Sequence, residues 1–202
     1  MNQQRVLVWD APVRVFHWML AVSFLGAFLT AESERWRDVH VMLGYTVAGL
    51  LAFRLVWGLV GSRYARFSSF AFGPSKVVAY LKSLLGSKPE HHLGHNPAGS
   101  WAIYGLLSTG VIASLSGWLK YQEIGGDAME EVHEFSANLM LAVVVVHLAG
   151  VVVSSFLHRE NLVRSMLTGY KSGTPSAKTR AHWLVAAALA TAVALGWMLA
   201  GR

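Results

Sequence analysis

Five separate stretches of this chain, residues 12–31, 40–60, 101–121, 132–157 and 183–200, each hold no more than one charged side chain. Each is close to the ~20 residues that an α-helix needs to cross ~30 Å of hydrocarbon. Lipid offers a backbone amide no partner, so apolar runs of this length resolve into helices that bond internally. Composition agrees: only 14% of the residues are charged, against about 25% in soluble domains. The expected fold is an all-α integral membrane protein. The first four spans form a transmembrane bundle within residues 1–170. Residues 171–202 add a linker and a fifth, Ala-rich helix that is less apolar and is expected at the periphery. The first span is read as a retained helix, not a cleaved leader. Between the second and third spans, residues 61–100 carry Pro74, Pro89 and Pro97 with scattered Lys and Arg. They read as a loop with an interfacial amphipathic helix near residues 75–85.

The formal charge of +6 is distributed by side of the membrane. The N-terminus, the 61–100 loop and the 158–182 linker carry Arg5, Arg14, Arg63, Arg66, Lys76, Lys82, Lys88, Arg159, Arg164, Lys171, Lys178 and Arg180, whereas the other connections have only Arg35, Arg37 and Lys120. Positive connections stay in the cytoplasm, which puts the N-terminus inside and, after five spans, Arg202 outside. Topology accounts for the basic balance, so no nucleic-acid partner is expected. The outer connections collect Glu32, Glu34, Asp38, Glu123, Asp127, Glu130, Glu131 and Glu134. Trp9, Trp36, Trp101 and Trp183 lie near span ends and read as interfacial anchors.

With sides assigned, four histidines fall into two layers. His17 lies near the inner end of the first span, while His40 and His133 open the second and fourth spans from outside. His147 lies fourteen residues below His133, a separation of about 21 Å along the helix and within about 40° of the same face. The stripe His133, Ala137, Met140, Val144, His147 follows a 4-3-4-3 spacing, and His40, Gly44, Val47, Leu51, Arg54 repeats it. His40 and His133 therefore share the outer layer, and His17 and His147 the inner one. Two bis-imidazole haems need this arrangement: axial nitrogens, a dry apolar slot and small neighbours such as Gly44 and Ala137. The chain contains no Cys, which excludes thiolate ligation and covalent haem attachment. Any haem would be b-type. Arg54 is a charge inside a span and calls for a buried partner; at the depth of the inner pair, a haem propionate would serve. Arg14, one turn before His17, is placed to do the same.

Each residue also has a plainer reading. An intramembrane His can be a hydrogen-bonded helix contact, His40 and His133 can be interfacial, and Arg54 can snorkel to a headgroup. Matching by depth on three helices favours ligation. Met19, Met42 and Met140 read as packing, and Gly105, Gly110, Ser114 and Gly117 as a small-residue packing face. His91, His92 and His95 are too irregularly spaced for a helical zinc pair. His158 and His182 sit at the inner surface, where headgroup contact is the default.

The opening V-W-D-A-P-V-R-V-F-H-W, the F-R-L-V-W-G of residues 53–58, the G-H-N-P-A-G of residues 94–99 and the His133/His147 pair together resemble the bacterial di-haem cytochrome b family. That family includes the b-type cytochrome subunits of nickel–iron hydrogenases and the small quinol-oxidising cytochromes b. The resemblance spans about residues 8–169. It implies a four-helix core in the bacterial cytoplasmic membrane with two haems b, whose matching ligand positions are His17, His40, His133 and His147. It also implies transmembrane electron transfer between quinone and a protein redox partner. The connection between the first two spans is short, and no long extramembrane insertion offers a hydrogenase-docking element.

Two imidazoles per iron leave no open coordination position, so the irons would relay electrons within a respiratory chain and not bind oxygen. A quinone headgroup also needs proton exchange; Glu32, Glu34, Glu123 and Glu134, or His158 and His182, are the available groups. The acidic outer rim can steer a basic periplasmic cytochrome c, although the positive-inside bias explains the same residues. Rival readings are superoxide oxidation at the outer haem, a hydrogenase-linked subunit, a passive anchor of a redox complex and a haem-free transporter. The last would use His and Arg as an ion path, but the spans hold no deeply placed Asp or Glu.

Overall fold

The computed structural model describes residues 4–86, 89–174 and 179–201; Lys88, Lys178 and Arg202, counted in the charge balance, lie outside them. All five spans are helices: α1 (Ala11–Thr30), α2 (Arg37–Val60), α4 (Pro97–Tyr121), α5 (Gly126–Leu157) and α7 (Trp183–Ala200). The interfacial helix is α3 (Pro74–Leu84), and a short α6 (Leu162–Thr168) lies in the linker. Local sequence sets the starts. Asp10 caps α1 by accepting the Val13 N–H at 2.9 Å, and Asn96 caps α4 by accepting the Gly99 N–H at 2.7 Å. Each is followed by a proline in the first helical turn, where no amide hydrogen is needed.

Antiparallel packing joins α1 to α2, α2 to α4 and α4 to α5, with α7 against α1 and α2. The small-residue face on α4 is what lets α5 approach. A Cβ on Gly105 would meet Val143 at 3.5 Å, one on Gly110 would meet Met140 Sδ at 3.5 Å and Leu51 at 3.0 Å, and one on Gly117 would meet the His133 ring at 2.8 Å. In lipid, where apolar side chains gain nothing by leaving the solvent, this close backbone approach is a main source of helix association. Among the described residues α5 packs closely on α4 and α6 but stands off α1 and α2. A Cβ added at Gly44 would meet no atom within 4 Å, while Val47 and Leu51 of the same stripe are buried against α1 and α4. At mid-height Leu51 and Met140 converge on Gly110. Helix α7 is peripheral: Ala186 is buried and Leu189 and Val193 touch the α1/α2 core, Trp197 donates to Thr46 Oγ1 at 3.0 Å, and most of the helix faces outward.

One end of the bundle holds an element absent from the sequence reading. Strand β1 (Gln4–Leu7) pairs antiparallel with β2 (Tyr170–Gly173), Val6 opposite Lys171. The Gly169 carbonyl then accepts the N–H groups of Val8 and Trp9 at 2.9 and 3.0 Å. Gly169 has φ of 88°, and a Cβ there would lie 2.6 Å from the Trp9 carbonyl, so only glycine fits. The 61–96 loop joins the same end: Leu93 packs on Gly173, and buried Lys171 bonds Glu160 at 3.1 Å and the His92 carbonyl at 3.3 Å. The three basic segments thus gather at one end, the clasp end, while the α1–α2 and α4–α5 connections form the opposite, hairpin end.

Candidate functional site

At the hairpin end, His40 and His133 face each other across the slot with ring centroids 6.1 Å apart and planes at 85°. Each imidazole is fixed from behind. His40 Nδ1 is 2.8 Å from the Ala27 carbonyl on α1, and His133 Nδ1 is 2.8 Å from the Ala113 carbonyl on α4. A carbonyl can only accept, so Nδ1 carries a proton in each ring, and it is Nε2 that is left to present a lone pair to a metal. That is the state of a metal-ligating histidine, whose second nitrogen donates to a carbonyl and so fixes tautomer and ring orientation. The spacing also fits one ion between the rings: two metal–nitrogen bonds of about 2 Å, with about 1 Å more from each nitrogen to its ring centre, give about 6 Å. Gly44 and Ala137 flank the pair, each one turn along its stripe.

The clasp-end pair is set differently. His147 lies within electrostatic reach of His17, and His17 Nδ1 is buried without a hydrogen-bond partner. Arg54, 3% exposed, lies over the Phe67 ring at 4.8 Å, and its Nη1 is buried and unpartnered. The Asp10 carboxylate acts on it through space. The buried, unpartnered guanidinium nitrogen of Arg54 fits a prosthetic group with a carboxylate tail, while His17 lacks the Nδ1 partner that marks the hairpin-end histidines. Arg14 is partly engaged: Nη1 donates to the Leu167 carbonyl at 2.7 Å and the guanidinium lies 4.9 Å over the Trp183 ring, while its Nε is buried without a partner. It ties α1 to α6 and α7.

Three surface assignments change. Trp9 is not an interfacial anchor; it is buried in the clasp-end core with Val8, Val13 and Trp57. His158 and His182 have ring neighbours in the protein, His91 and Trp57 respectively, each at 5.3 Å. His95 is more central than its irregular motif suggested, packed between Trp9 at 4.6 Å and Phe70 at 4.4 Å with a sealed, unpartnered Nδ1.

Burial, then the charges of Arg54 and Lys171 and the nearby His147, push the His95 imidazole down to about 3 from its usual ~6.5. His95 therefore stays neutral in place and gains a proton only when the loop opens. Opened chains bind more protons between these two values, so the closed form weakens as pH falls through that window and is fully favoured above it. Hydrogen exchange of residues 90–96, corrected for intrinsic rate, should speed up by about 25-fold between pH 7 and pH 5. His95→Phe should remove that dependence; equal pH dependence in both proteins would show that His95 is not the group responsible.

The description prokaryotic cytochrome b561 belongs to the family model that matches residues 8–169. A probable Ni/Fe-hydrogenase B-type cytochrome subunit from Azotobacter vinelandii is 26% identical over 217 residues, covering 84% of this chain and 90% of that protein. Its counterpart in Rhodobacter capsulatus is 24% identical, covering 83% and 81%. One from Azotobacter chroococcum mcd 1 is 30% identical over 150 residues, covering 60% and 62%. No solved structure matches the chain significantly. With four-fifths of its length inside the family match and a five-span helical bundle around a histidine-lined slot, this chain belongs to the prokaryotic cytochrome b561 family, whose members carry electrons in membranes on haem b.

Proposed function

We propose that the chain moves electrons across the bacterial cytoplasmic membrane through two b-type haems, one held by His40 and His133 at the hairpin end and one by His17 and His147 at the clasp end. The observation that carries this reading is the facing of two imidazoles whose Nδ1 atoms both donate to backbone carbonyls, leaving the Nε2 atoms to present lone pairs to a metal 14 residues above a second histidine on α5. Haem b between two imidazoles supplies one-electron oxidation and reduction with no position open for oxygen. The chain supplies the rest. The carbonyls of Ala27 and Ala113 raise the basicity of the ligand nitrogens, Gly44 and Ala137 leave room for a flat ring, and Leu51, Met140 and Gly110 keep the midplane dry. Arg54 offers a buried positive charge to a propionate at the clasp end. Arg14, engaged with Leu167 and Trp183, is the weaker candidate for that role.

Orientation follows the positive-inside bias, with the clasp end in the cytoplasm. The donor or acceptor on one side is membrane quinone. On the other it is a protein redox partner, and the naming of the relatives as hydrogenase b-type subunits favours a hydrogenase-like protein over a cytochrome c. The exposed carboxylates Glu123, Asp127, Glu131 and Glu134 are available to steer it.

Purified wild-type protein is expected to bind two haems b per chain, and a short-chain quinol should reduce them anaerobically to a large fraction of the dithionite level. Full haem content with no quinol reduction would remove the quinone assignment and leave a passive anchor or a different donor. No haem after haem-sufficient expression would overturn the function as a whole.

A further inference from the structure

We propose that the chain holds the two imidazoles of the hairpin-end haem in crossed planes, and that Gly117 is the positioning residue that makes this possible. The inference rests on His40 and His133 being the ligands of one haem. The two rings stand at 85°, and each is anchored at Nδ1 to a different helix.

His40 takes the Ala27 carbonyl in the last turn of α1, where a helix leaves its carbonyls without amide partners; the Ala31 N–H there bonds Phe28 instead. His133 takes the Ala113 carbonyl in the middle of α4. Neither ring can turn about the axis through its Nε2 without giving up a hydrogen bond in a low-dielectric site.

Gly117 is one turn beyond Ala113. A Cβ there would lie 2.8 Å from both Cε1 and Nδ1 of His133, so any other residue pushes the ring off its carbonyl or out of its plane. Small size at this position had read as helix packing alone; its nearest neighbour is instead the imidazole itself. The clasp-end pair has no equivalent clamp, since His17 Nδ1 has no hydrogen-bond partner.

Ring planes set an electronic property. Parallel axial imidazoles split the two iron orbitals that point between the ring planes, and a ferric low-spin centre then gives a rhombic three-line electron paramagnetic resonance signal. Crossed imidazoles keep those orbitals nearly degenerate and give a single highly anisotropic signal at large g. The wild-type holoprotein should show one large-g signal that is missing from both His40→Ala and His133→Ala.

Gly117→Ala should move that same signal toward the rhombic form and leave the other haem's signal and content unchanged. Gly150→Ala, a helix glycine whose added Cβ would meet nothing within 4 Å, should leave both signals as they are. A rhombic signal from the His40/His133 haem in wild type would overturn the crossed planes, and an unshifted signal in Gly117→Ala would overturn the role of Gly117. Loss of only the hairpin-end haem in Gly117→Ala supports positioning; loss of both haems speaks against it, as general misfolding. If His40→Ala and His133→Ala deplete different haems, the ligand assignment itself fails, an outcome separate from either of these.

Discussion

His133→Ala protein, expressed with ample haem and purified in detergent, is expected to carry half the wild-type haem b and to lack the same spectral component as His40→Ala. His17→Ala and His147→Ala should lack the other. The pairing follows from where each imidazole stands and not from its helix, because His133 and His147 share α5 yet should give opposite phenotypes. Alanine removes the Nε2 lone pair and leaves a single axial imidazole, which holds a b-type haem weakly because nothing covalent retains it. Retention of the second haem is expected because the pairs are about 21 Å apart along α5, with Leu51 and Met140 converging on Gly110 between them. Pyridine haemochrome content and the reduced-minus-oxidised spectrum of each variant decide the matter. If His133→Ala and His17→Ala lose the same component, the layers are wrongly paired; if all four variants keep two haems, these histidines are packing residues.

Much of this arrangement was legible in the sequence because hydrocarbon thickness and helix rise convert residue number into depth. Five spans and the repeated 4-3-4-3 stripes of α2 and α5 follow from spacing that survives any detail of packing, whereas the caps at Asp10 and Asn96 emerged only with the structure. What else escaped depends on contacts between distant segments. The β1/β2 clasp joins residues 4–7 to 170–173 through four-residue strands with too few side chains to show a period of two. Arg14 looked like a propionate partner because it lies one turn from His17, but its neighbours Leu167 and Trp183 come from the other end of the chain. His95 reads as a loop residue until Trp9 and Phe70 close on it. The carbonyls that orient His40 and His133 have no residue signature at all, being backbone atoms of two alanines.

Asp10→Ala is expected to destabilise the clasp end by about 2–4 kcal/mol. Asp10 is fully buried and does three things at once. One carboxylate oxygen caps α1 at Val13, the other accepts the Trp57 Nε1–H at 3.0 Å, and its charge acts through space on Arg54. Losing the cap costs about 1 kcal/mol, and stranding a buried indole N–H costs about 1–3 kcal/mol. Arg54 would also lose the through-space attraction of the Asp10 carboxylate. These contributions share one side chain and are not independent, so variants must separate them. Asp10→Asn keeps an oxygen for the cap but turns an amide donor toward the Trp57 donor and removes the charge. It should fall between wild type and Asp10→Ala. In a Trp57→Phe background the donor clash disappears, so Asp10→Asn should cost less there than in wild type, and the remaining cost measures the charge felt by Arg54. Thermal loss of the haem absorbance in detergent, read for all four proteins of this cycle, gives the comparison. Equal costs in the two backgrounds would mean that the Asp10–Trp57 bond contributes nothing. A wild-type melting temperature for Asp10→Ala would mean that the clasp end is held by the strand pair and α7 alone.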